Sequence, residues 1–214
     1  RPRPGATAFA VTMLAATWWV TTSALGLFAT DEATTVFWGK VEWGGIVYLP
    51  VAWLAFALAY TGRSEYCSRR VVGGLAALPT VTLSLALTNG VFHPLVYAGE
   101  PPFHAGGSVL LVERSFGPWL WIQAAYSYLL VALGTLLVVQ MVTERRPLYR
   151  GQAVALVLVV AAPWVASALY LSGRSPVPFF DPTPYTFVIS GAAGIAALSQ
   201  LEFLDAVPVT NRVA

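Results

Sequence analysis

A long apolar run that contains a proline and begins beside two opposite charges constrains this chain more than any other feature. The run Gly44–Tyr60 holds no charged residue, and its length approaches the roughly 20 residues that a helix needs to cross the hydrocarbon core of a bilayer. Lys40 and Glu42 precede the run, and Pro50 lies within it. Because Pro50 lacks an N–H and crowds the carbonyl of Ile46, we predict a membrane-spanning helix that is kinked there.

The composition places the whole chain among integral membrane proteins. Hydrophobic residues make up 57% and charged residues 10% of the sequence, with a mean hydropathy of +0.68, which excludes an ordinary soluble domain. We therefore predict an all-α integral membrane fold, a polytopic helical bundle that forms a single transmembrane domain over residues 1–214. Six spans are expected, at about residues 6–28, 36–61, 71–89, 118–142, 152–171 and 184–205.

The arginines are distributed unequally between the two sides that alternating spans define. Only Arg114 and Arg174 fall on one side, and all the other arginines fall on the opposite side. The arginine-rich side is expected to be cytoplasmic, so the sequence predicts a multi-pass protein of the plasma membrane with a cytoplasmic C-terminus. The opening segment Arg1–Gly5 has the composition of a loop, and we expect the chain to be a fragment of a longer protein.

The segment Gly90–Gly117 is the only long connection between the predicted spans. Within it, Phe92–Tyr97 and Ser108–Phe116 are rich in Val, Leu and Phe, and they flank a cluster of chain-breaking residues between Gly99 and Gly107. This pattern predicts a two-stranded β-hairpin. The arginine asymmetry places the hairpin on the extracellular side, over the outer mouth of the bundle.

Lys40 and Glu42, with the adjacent Trp43, are the first candidates for a ligand-binding site. Two positions apart on a helix, the two charges point to nearly opposite faces and cannot simply pair with each other. A charge inside a membrane is costly unless it is paired or hydrated, so one of the two could line an outward-open ligand cavity. The alternative is that both lie at the interface and extend to water.

Polar and aromatic side chains on the last three spans form a second group of candidates. On the fourth span Gln123 and Tyr126 share a helix face, and buried amide and phenol groups require hydrogen-bond partners. With Trp164, Tyr170 and Tyr185 they could form an aromatic and polar pocket in the outer half of the bundle. The alternative is that such aromatic residues belong to the belt at the lipid–water interface.

Three prolines are candidates for hinges. Pro50, Pro79 and Pro163 interrupt the second, third and fifth predicted spans. Kinks at these positions would make the bundle deformable and would free backbone carbonyls for a ligand or water. The alternative is a static packing role, since prolines are common in membrane helices.

Several short motifs are weak one by one but specific in their joint spacing. They are Arg3–Ala6, Phe37–Trp38, Pro50–Trp53, Tyr60–Arg63, Pro79, Thr88–Asn89, Gly117–Trp121, Tyr126–Leu130, Tyr149–Ala153, Pro163, Asp181–Pro184 and Leu204–Pro208. In this arrangement the chain resembles, over nearly its whole length, the N-terminal seven-transmembrane input region of prokaryotic sensor histidine kinases.

The resemblance implies a sensory input domain of a two-component system. Such a domain detects an extracellular or membrane-borne signal, a small molecule or lipid, and passes it through Asp205–Pro208 to a cytoplasmic sensor or kinase module in the same polypeptide. It also implies a homodimer. The chain departs from the family in having six predicted spans instead of seven, the first being absent, and it contains no phosphoacceptor-histidine helix or ATP-binding segment. We therefore expect this chain not to be an enzyme, and the full-length protein to be a histidine kinase.

Other classes of protein agree less well with the sequence. The only lysine, Lys40, lies near an end of the second span, whereas a retinal protein would need one deep in its last helix. His93, His104, Glu100 and Glu113 share the long loop and could bind a metal, but their spacing matches no known site. We expect no metal, no other cofactor and no nucleic-acid partner; the bilayer itself is the one certain partner.

A small polytopic transporter or channel, or an accessory membrane subunit, is the alternative function. Transport predicts paired charges deep in the membrane and often repeated halves, and the sequence has no convincing internal repeat. A membrane enzyme is a third possibility. The predicted spans contain no cluster of His, Asp and Glu residues, which argues against it.

Overall fold

The computed structural model describes residues 5–106, 109–144 and 150–193. Its elements are α1 (Ala6–Leu27), α2 (Glu32–Val41), α3 (Trp43–Ile46), α4 (Leu49–Tyr60), a 3₁₀ turn (Ser64–Tyr66), α5 (Arg69–Thr88), β1 (Phe103–Gly106), β2 (Val109–Val112), α6 (Pro118–Glu144) and α7 (Arg150–Leu171). Residues 183–193 form a further helical segment, α8. The predicted all-α membrane bundle with a small β-hairpin is confirmed.

Four stretches of the described residues are long and apolar enough to cross a membrane. They are Ala6–Leu27, Glu32–Tyr60, Arg69–Thr88 and Pro118–Met141. The apolar part of α7, Val157–Leu171, is shorter, and α8 covers the beginning of the predicted sixth span. The rest of that span, the segment Asp205–Pro208 and residues 1–4 of the opening loop lie outside the described residues. The number of six spans therefore stays a prediction.

The second span is divided into three helices. α2 ends at Val41, whose carbonyl accepts a hydrogen bond of 2.9 Å from the indole Nε1 of Trp18 on α1, so a side chain of α1 satisfies the backbone at the break. The chain resumes as α4 at Leu49, with Pro50 in the first turn. There the missing N–H has no intrahelical partner to lose. Because Glu42, Val47 and Tyr48 keep helical backbone angles, these interruptions lie within one span that runs from Glu32 to Tyr60, and the kink at Pro50 stays a prediction.

The other two prolines lie inside helices. Pro79 is within α5 and Pro163 is within α7, and both side chains are fully buried. Each removes one backbone hydrogen bond from its helix. Their role as hinges stays a prediction.

Helix α4 forms the centre of the bundle, packed between α1 and α6. Nearly every residue from Leu49 to Ala57 is buried, whereas in α2 only Thr35 is. The indole Nε1 of Trp53 donates to the Val131 carbonyl of α6 at 3.3 Å. α4, the second half of the span, is therefore largely enclosed by its neighbours. α2, in the first half, buries only Thr35 and is enclosed much less.

The long loop contains a hairpin, but its first strand differs from the predicted one. β1 and β2 pair in antiparallel register from Phe103 opposite Val112 to Gly106 opposite Val109. The second strand falls within the predicted Ser108–Phe116, whereas the predicted first strand, Phe92–Tyr97, contributes only isolated bridges, from His93 to Asn89 and from Tyr97 to Phe116.

The side chain of Asn89 explains this difference. Its Oδ1 accepts from the backbone N–H groups of Val96 and Tyr97, at 2.9 and 3.2 Å, and its Nδ2 donates to the Tyr97 carbonyl at 3.1 Å. Backbone groups that are bonded to a side chain are not free to form a ladder with another strand. The segment after α5 is therefore a compact loop.

Three connections meet at one end of the bundle, which we call the hairpin end: residues 28–31, the described parts 89–106 and 109–117 of the long loop, and residues 172–182. The imidazole of His104 on β1 stacks on the ring of Phe179, with 4.3 Å between centroids. Phe179 has a left-handed backbone, with φ of 61°, a conformation that a bulky residue adopts only when its surroundings favour it. The hairpin thus rests on the loop that leads into α8.

Candidate functional site

A buried ion pair joins the break in the second span to the long loop. Arg114 Nη1 donates to Glu42 Oε1 at 2.8 Å, and the Ser23 hydroxyl on α1 donates to Glu42 Oε2 at 2.9 Å. Glu42 is only 7% exposed, so the guanidinium and the hydroxyl replace the water that its carboxylate has lost. α1, the junction of α2 and α3, and the loop after β2 are held together at this point.

Aromatic rings and a glycine surround the Arg114 guanidinium. Its Cζ lies 5.4 Å from the centroid of the Tyr97 ring, within the range of a cation–π interaction, and the Tyr97 ring packs edge-on against Trp43. On α2, Gly39 permits the close approach, because a Cβ there would lie 2.8 Å from Arg114 Nη2. Burial raises the pKa of Tyr97 well above its ordinary value, so its phenol stays neutral beside the ion pair.

Asp181 brings a second carboxylate to the same region. Its Oδ1 accepts a hydrogen bond of 2.9 Å from the backbone N–H of Thr183. Burial raises the pKa of Asp181, and the polar groups of Thr183 oppose this rise; Glu42 raises the pKa further and Arg114 lowers it. We call Glu42, Arg114 and Asp181 the charged cluster.

Lys40 lies apart from the charged cluster. Its Nζ donates to the carbonyl oxygens of Leu87, at 3.2 Å, and Asn89, at 3.0 Å. These carbonyls lie at the C-terminal end of α5, where unpaired oxygens and the helix dipole favour a cation. Lys40 and Glu42 therefore have different partners, as their spacing predicted.

A cavity of about 720 Å³ extends from the charged cluster between the helices. It is lined by residues of α1, α3, α4, α6, α7 and α8, most of them apolar, with Arg114 and Asp181 at one end and Phe9 at the other. Along α4 its lining extends from Leu49 to Tyr60, about 16 Å at the helical rise. This interhelical cavity has the volume and the apolar lining of a small-molecule site.

A smaller cavity, of about 80 Å³, lies at the hairpin end beside the first. Glu42 and Tyr185 line it, and it shares Arg114, Tyr170 and Asp181 with the interhelical cavity. The charged cluster thus forms part of the wall between the two spaces.

The predicted site residues fall into three groups in the structure. Trp43, Gln123, Trp164 and Tyr170 line the interhelical cavity, as do Pro50 and Pro163. Glu42 and Tyr185 line the smaller cavity. Lys40, Tyr126 and Pro79 line neither of these two cavities.

Gln123 and Tyr126 both make contacts with α5. The Thr82 hydroxyl donates to Gln123 Oε1 at 2.8 Å, and Gln123 Nε2 donates to the Ser127 hydroxyl at 3.0 Å. The Tyr126 hydroxyl donates to the Leu75 carbonyl at 2.7 Å. Gln123 is therefore held at the wall of the interhelical cavity, and Tyr126 serves the packing of α6 on α5.

Arg114 and Asp181 are functional candidates that the sequence analysis missed. The sequence contained one indication of Arg114. Glu42 lies beside an apolar run and requires a cation, and Arg114 is one of only two arginines on the predicted outer side. The sequence did not indicate that the loop after β2 returns to the junction of α2 and α3, a contact across 72 positions.

The two loop histidines have separate partners. His104 Nε2 lies 2.9 Å from Glu113 Oε2 on the hairpin surface, and His93 Nε2 lies 3.0 Å from the Thr88 hydroxyl. Among the described residues, no three His, Cys, Asp or Glu side chains are grouped as a metal site requires. The arrangement gives metal binding in this loop no geometric support.

A comparison with protein families gives one match for the chain. The family model described as the N-terminal 7TM region of histidine kinase matches residues 1–208. No curated protein and no solved structure matches the chain.

Proposed function

Because the chain belongs to the family of N-terminal 7TM regions of histidine kinases, we propose that it is the transmembrane input domain of a two-component sensor histidine kinase. In this proposal it detects an extracellular or membrane-borne signal and passes it to a cytoplasmic kinase module of the same polypeptide. The domain itself is the sensory part and is not catalytic. As a histidine kinase, the full-length protein would act as a homodimer.

The observation that carries this proposal is the interhelical cavity. It connects the charged cluster at the hairpin end with the interior of the membrane-spanning bundle. A ligand in it would contact α3 through Trp43, α7 through Trp164 and Tyr170, and the segment before α8 through Asp181. One bound molecule would therefore act on several helices at once, which is what a sensory domain requires.

The junction of α2 and α3 is the element that we propose to move. α2 buries few residues, and its end is held by one hydrogen bond from Trp18 and by the Glu42–Arg114 pair. A ligand shifts a conformational equilibrium only by its difference in affinity for the two states. If α3 moved against the firmly packed α4, the contacts of a ligand with Trp43 would change. The ligand would therefore bind the two states with different affinities.

We propose that six of the candidate residues serve ligand binding and that two serve the fold. Trp43, Gln123, Trp164 and Tyr170 would contact the ligand, and Glu42 and Tyr185 would respond to it through the charged cluster. Lys40, bonded to the end of α5, and Tyr126, bonded to the Leu75 carbonyl, would maintain the bundle.

The orientation also belongs to the proposal. The arginine distribution supports a hairpin end outside the cell and a cytoplasmic C-terminus. α8 begins at the charged cluster and would carry the change towards the kinase module, which makes it the natural output helix.

Autophosphorylation of the full-length gene product tests the proposal. Reconstituted in nanodiscs with labelled ATP, it should phosphorylate a histidine, and Glu42→Gln should change the rate several-fold by altering the equilibrium between the two states. Glu113→Gln, a change in an exposed carboxylate of the hairpin end, should leave the rate unchanged. A gene product that transfers no phosphate from ATP to histidine would contradict the proposal.

Transport is the second candidate, because a buried ion pair that adjoins a cavity is also a feature of transporters. The span begins at Glu32, and Glu42 lies about 15 Å further along the helix. Glu42 is therefore in the half of the span nearer the hairpin end. Solute flux into proteoliposomes discriminates between the two functions. Flux that requires both Glu42 and Arg114 would favour transport over reception.

A further inference from the structure

The volume and the lining of the interhelical cavity determine which kind of molecule it favours. The volume is about 720 Å³, and the lining is formed mostly by side chains such as Leu49, Trp53, Phe56, Val131 and Val160. Such a lining offers water few hydrogen bonds, and apolar cavities of only about 150 Å³ already stay dry and bind hydrocarbons. The interhelical cavity therefore favours an apolar occupant.

Several polar side chains of the lining already have partners within the protein. The Tyr128 hydroxyl donates to the Ser167 hydroxyl at 3.0 Å. Gln123 accepts from the Thr82 hydroxyl at 2.8 Å and donates to the Ser127 hydroxyl at 3.0 Å. A ligand gains little from groups that are already bonded, because it would have to break one hydrogen bond to form another.

The other polar groups of the lining do not alter this conclusion. The indole nitrogens of Trp43 and Trp164 are fully buried, so these residues do not present them to the cavity. The charged residues of the described lining, Arg114 and Asp181, both lie at one end, and Arg114 is paired with Glu42. Apolar surface and shape, rather than hydrogen bonds, would therefore select the ligand.

Two residues of α1 connect the cavity to the outside of the bundle. Phe9 and Met13 line the cavity and are also 45% and 44% exposed. They are four positions apart and therefore lie on the same face of the helix. Because α1 is long and apolar enough to cross a membrane, the surroundings of this face are hydrocarbon. Phe9 and Met13 thus form a lateral edge between the cavity and the bilayer.

This edge lies in the half of α1 that is farther from the hairpin end. α1 runs from Ala6 to Leu27, next to the hairpin end, and Phe9 is about 27 Å from Leu27 along the helix axis. Nearer the hairpin end, Trp19 of α1 packs on Phe187 of α8, with 5.7 Å between ring centroids. The lateral edge therefore faces the leaflet opposite the hairpin end.

The length of the cavity corresponds to one lipid leaflet. Along α4 the lining extends from Leu49 to Tyr60, about 16 Å at the helical rise. The hydrocarbon core of a bilayer is about 30 Å thick, so one leaflet contributes about 15 Å. An acyl chain of a membrane lipid spans one leaflet and therefore has the length of this cavity.

We propose that the interhelical cavity takes up an acyl chain of a lipid from the leaflet opposite the hairpin end. The chain enters past Phe9 and Met13, its methyl end points towards Trp43 and the charged cluster, and the head group stays at the membrane surface. The inference rests on the proposed function, because it assigns the ligand class to the same sensory site. The signal is then the length and saturation of the lipid chains, not the head group.

A photoreactive lipid tests this assignment with the full chain in nanodiscs. The probe is a phosphatidylcholine with a diazirine at the end of one acyl chain, and mass spectrometry identifies the labelled residues. Trp53 and Phe56 line the cavity and are only 5% and 8% exposed, yet they should be labelled about as strongly as the exposed Leu14 and Leu158. Labelling confined to exposed positions would overturn the proposal.

A second lipid, with the diazirine on its head group, is the control for the orientation of the chain. Because the head group stays at the membrane surface, this lipid should leave Trp53 and Phe56 unlabelled. Labelling of these two residues by the head-group probe would contradict the proposed direction of entry.

A block at the lateral edge tests the route. Met13→Cys and Leu14→Cys are each made in a Cys67→Ser background, which removes the only native cysteine, and are reacted with a bulky maleimide before reconstitution. The modified Met13→Cys protein should lose labelling of Trp53 by the chain-end probe several-fold. Leu14 is exposed and lies outside the cavity lining, so its modification should have no effect. Equal labelling of Trp53 in both proteins would contradict the route.

A pair of glycines tests the position of the chain inside the cavity. Gly191 on α8 lines the cavity, and a Cβ there would meet no atom within 4 Å. Gly191→Leu should therefore fill part of the cavity without a clash and reduce the labelling of Trp53 several-fold. Gly73→Leu on α5 is equally free of neighbours but lies outside the cavity lining, and it should be labelled as wild type. Unchanged labelling of Trp53 in Gly191→Leu would overturn the position of the chain.

The failure of this inference can be told apart from the failure of the proposed function. If the full-length protein phosphorylates histidine and responds to Glu42→Gln, yet the chain-end probe labels no cavity residue, the lipid assignment is wrong and the sensory function stands. If the cavity is labelled with the expected variant pattern but no phosphate is transferred, the lipid assignment stands and the kinase proposal is wrong.

Discussion

Arg114 Nη1 and Glu42 Oε1 are 2.8 Å apart across 72 positions of the sequence. Their side chains are 21% and 9% exposed, whereas those of the other ion pair in the same loop, His104 and Glu113, are 43% and 45% exposed. The two pairs have nearly the same length, but they differ in burial and in charge, because His104 is charged only when it is protonated. One joins the loop to a membrane span, and the other lies on the surface of the hairpin.

We expect the removal of one partner of the buried pair to be strongly destabilising. Arg114→Gln leaves the Glu42 carboxylate buried with only the Ser23 hydroxyl, and the loss in unfolding free energy should be about 3 kcal/mol. The double variant Glu42→Gln/Arg114→Gln should lose less than the sum of the two single variants. Reversible unfolding in a dodecyl sulfate titration measures both values.

The exposed pair provides the matched control for this prediction. Glu113→Gln changes an exposed pair of nearly the same length, which is an ion pair only when His104 is protonated, and the expected loss is at most about 1 kcal/mol. A loss for Glu113→Gln as large as that for Arg114→Gln would contradict the conclusion that burial, not pairing alone, determines the effect.

Lys40 provides a second prediction, about a cation at a helix end. Lys40→Met removes the hydrogen bonds to the Leu87 and Asn89 carbonyls and the favourable interaction with the dipole of α5. We expect a loss of about 1 kcal/mol in the same titration. Lys40→Arg keeps the charge and should recover most of it. Equal stability of Lys40→Met and wild type would show that this cap contributes nothing.

Much of the fold could be predicted because it depends on local composition. The apolar runs that became α1, α5 and α6 are visible in the sequence since hydrocarbon excludes charge over a fixed length. The site was only partly predictable. Glu42 and Trp43 are close in sequence and were both identified, but the partner of Glu42 arrives through a loop whose path depends on contacts between distant residues, among them the hydrogen bonds of the Asn89 side chain.

The hairpin also shows why the sequence predicted only part of the structure. β-Forming composition indicated two strands in the loop, and it placed the second strand correctly at Val109–Val112. The first was placed too early because composition does not show that Asn89 bonds the N–H groups of Val96 and Tyr97. A side chain that competes with the backbone ladder acts through geometry, which the order of residue types does not contain.

The raised pKa of Asp181 predicts a specific pH dependence. Folding raises this pKa above its ordinary value of 3.8, chiefly through burial, so the folded state favours the protonated carboxyl. That stabilisation is fully present below the unfolded-state pKa and is lost as pH rises through the folded-state pKa. Relative to Asp181→Asn, which stays uncharged, wild type should lose stability as the pH rises from about 4 and then level off.

Asp31 should show the opposite dependence and serves as the control. It lies at the start of α2, where hydrogen bonds from Thr34 lower its pKa below 3.8. Its stabilisation is present above the unfolded-state pKa and is lost as pH falls through the folded-state pKa. Relative to Asp31→Asn, wild type should therefore lose stability towards acid. Pairs of titrations that slope in the same direction for Asp181 and Asp31 would contradict this account.

The last prediction concerns the contact between α1 and α3. A Cβ on Gly45 would lie 2.6 Å from the Ala15 carbonyl oxygen and 2.8 Å from the Trp19 nitrogen, both backbone atoms of α1 that cannot rotate away. Gly45→Ala should therefore separate the helices and cost about 2 kcal/mol. Gly73→Ala, on a helix position without neighbours, should instead stabilise by about 0.5–1 kcal/mol through helix propensity. A Gly45→Ala variant with wild-type stability would show that α3 does not depend on this contact.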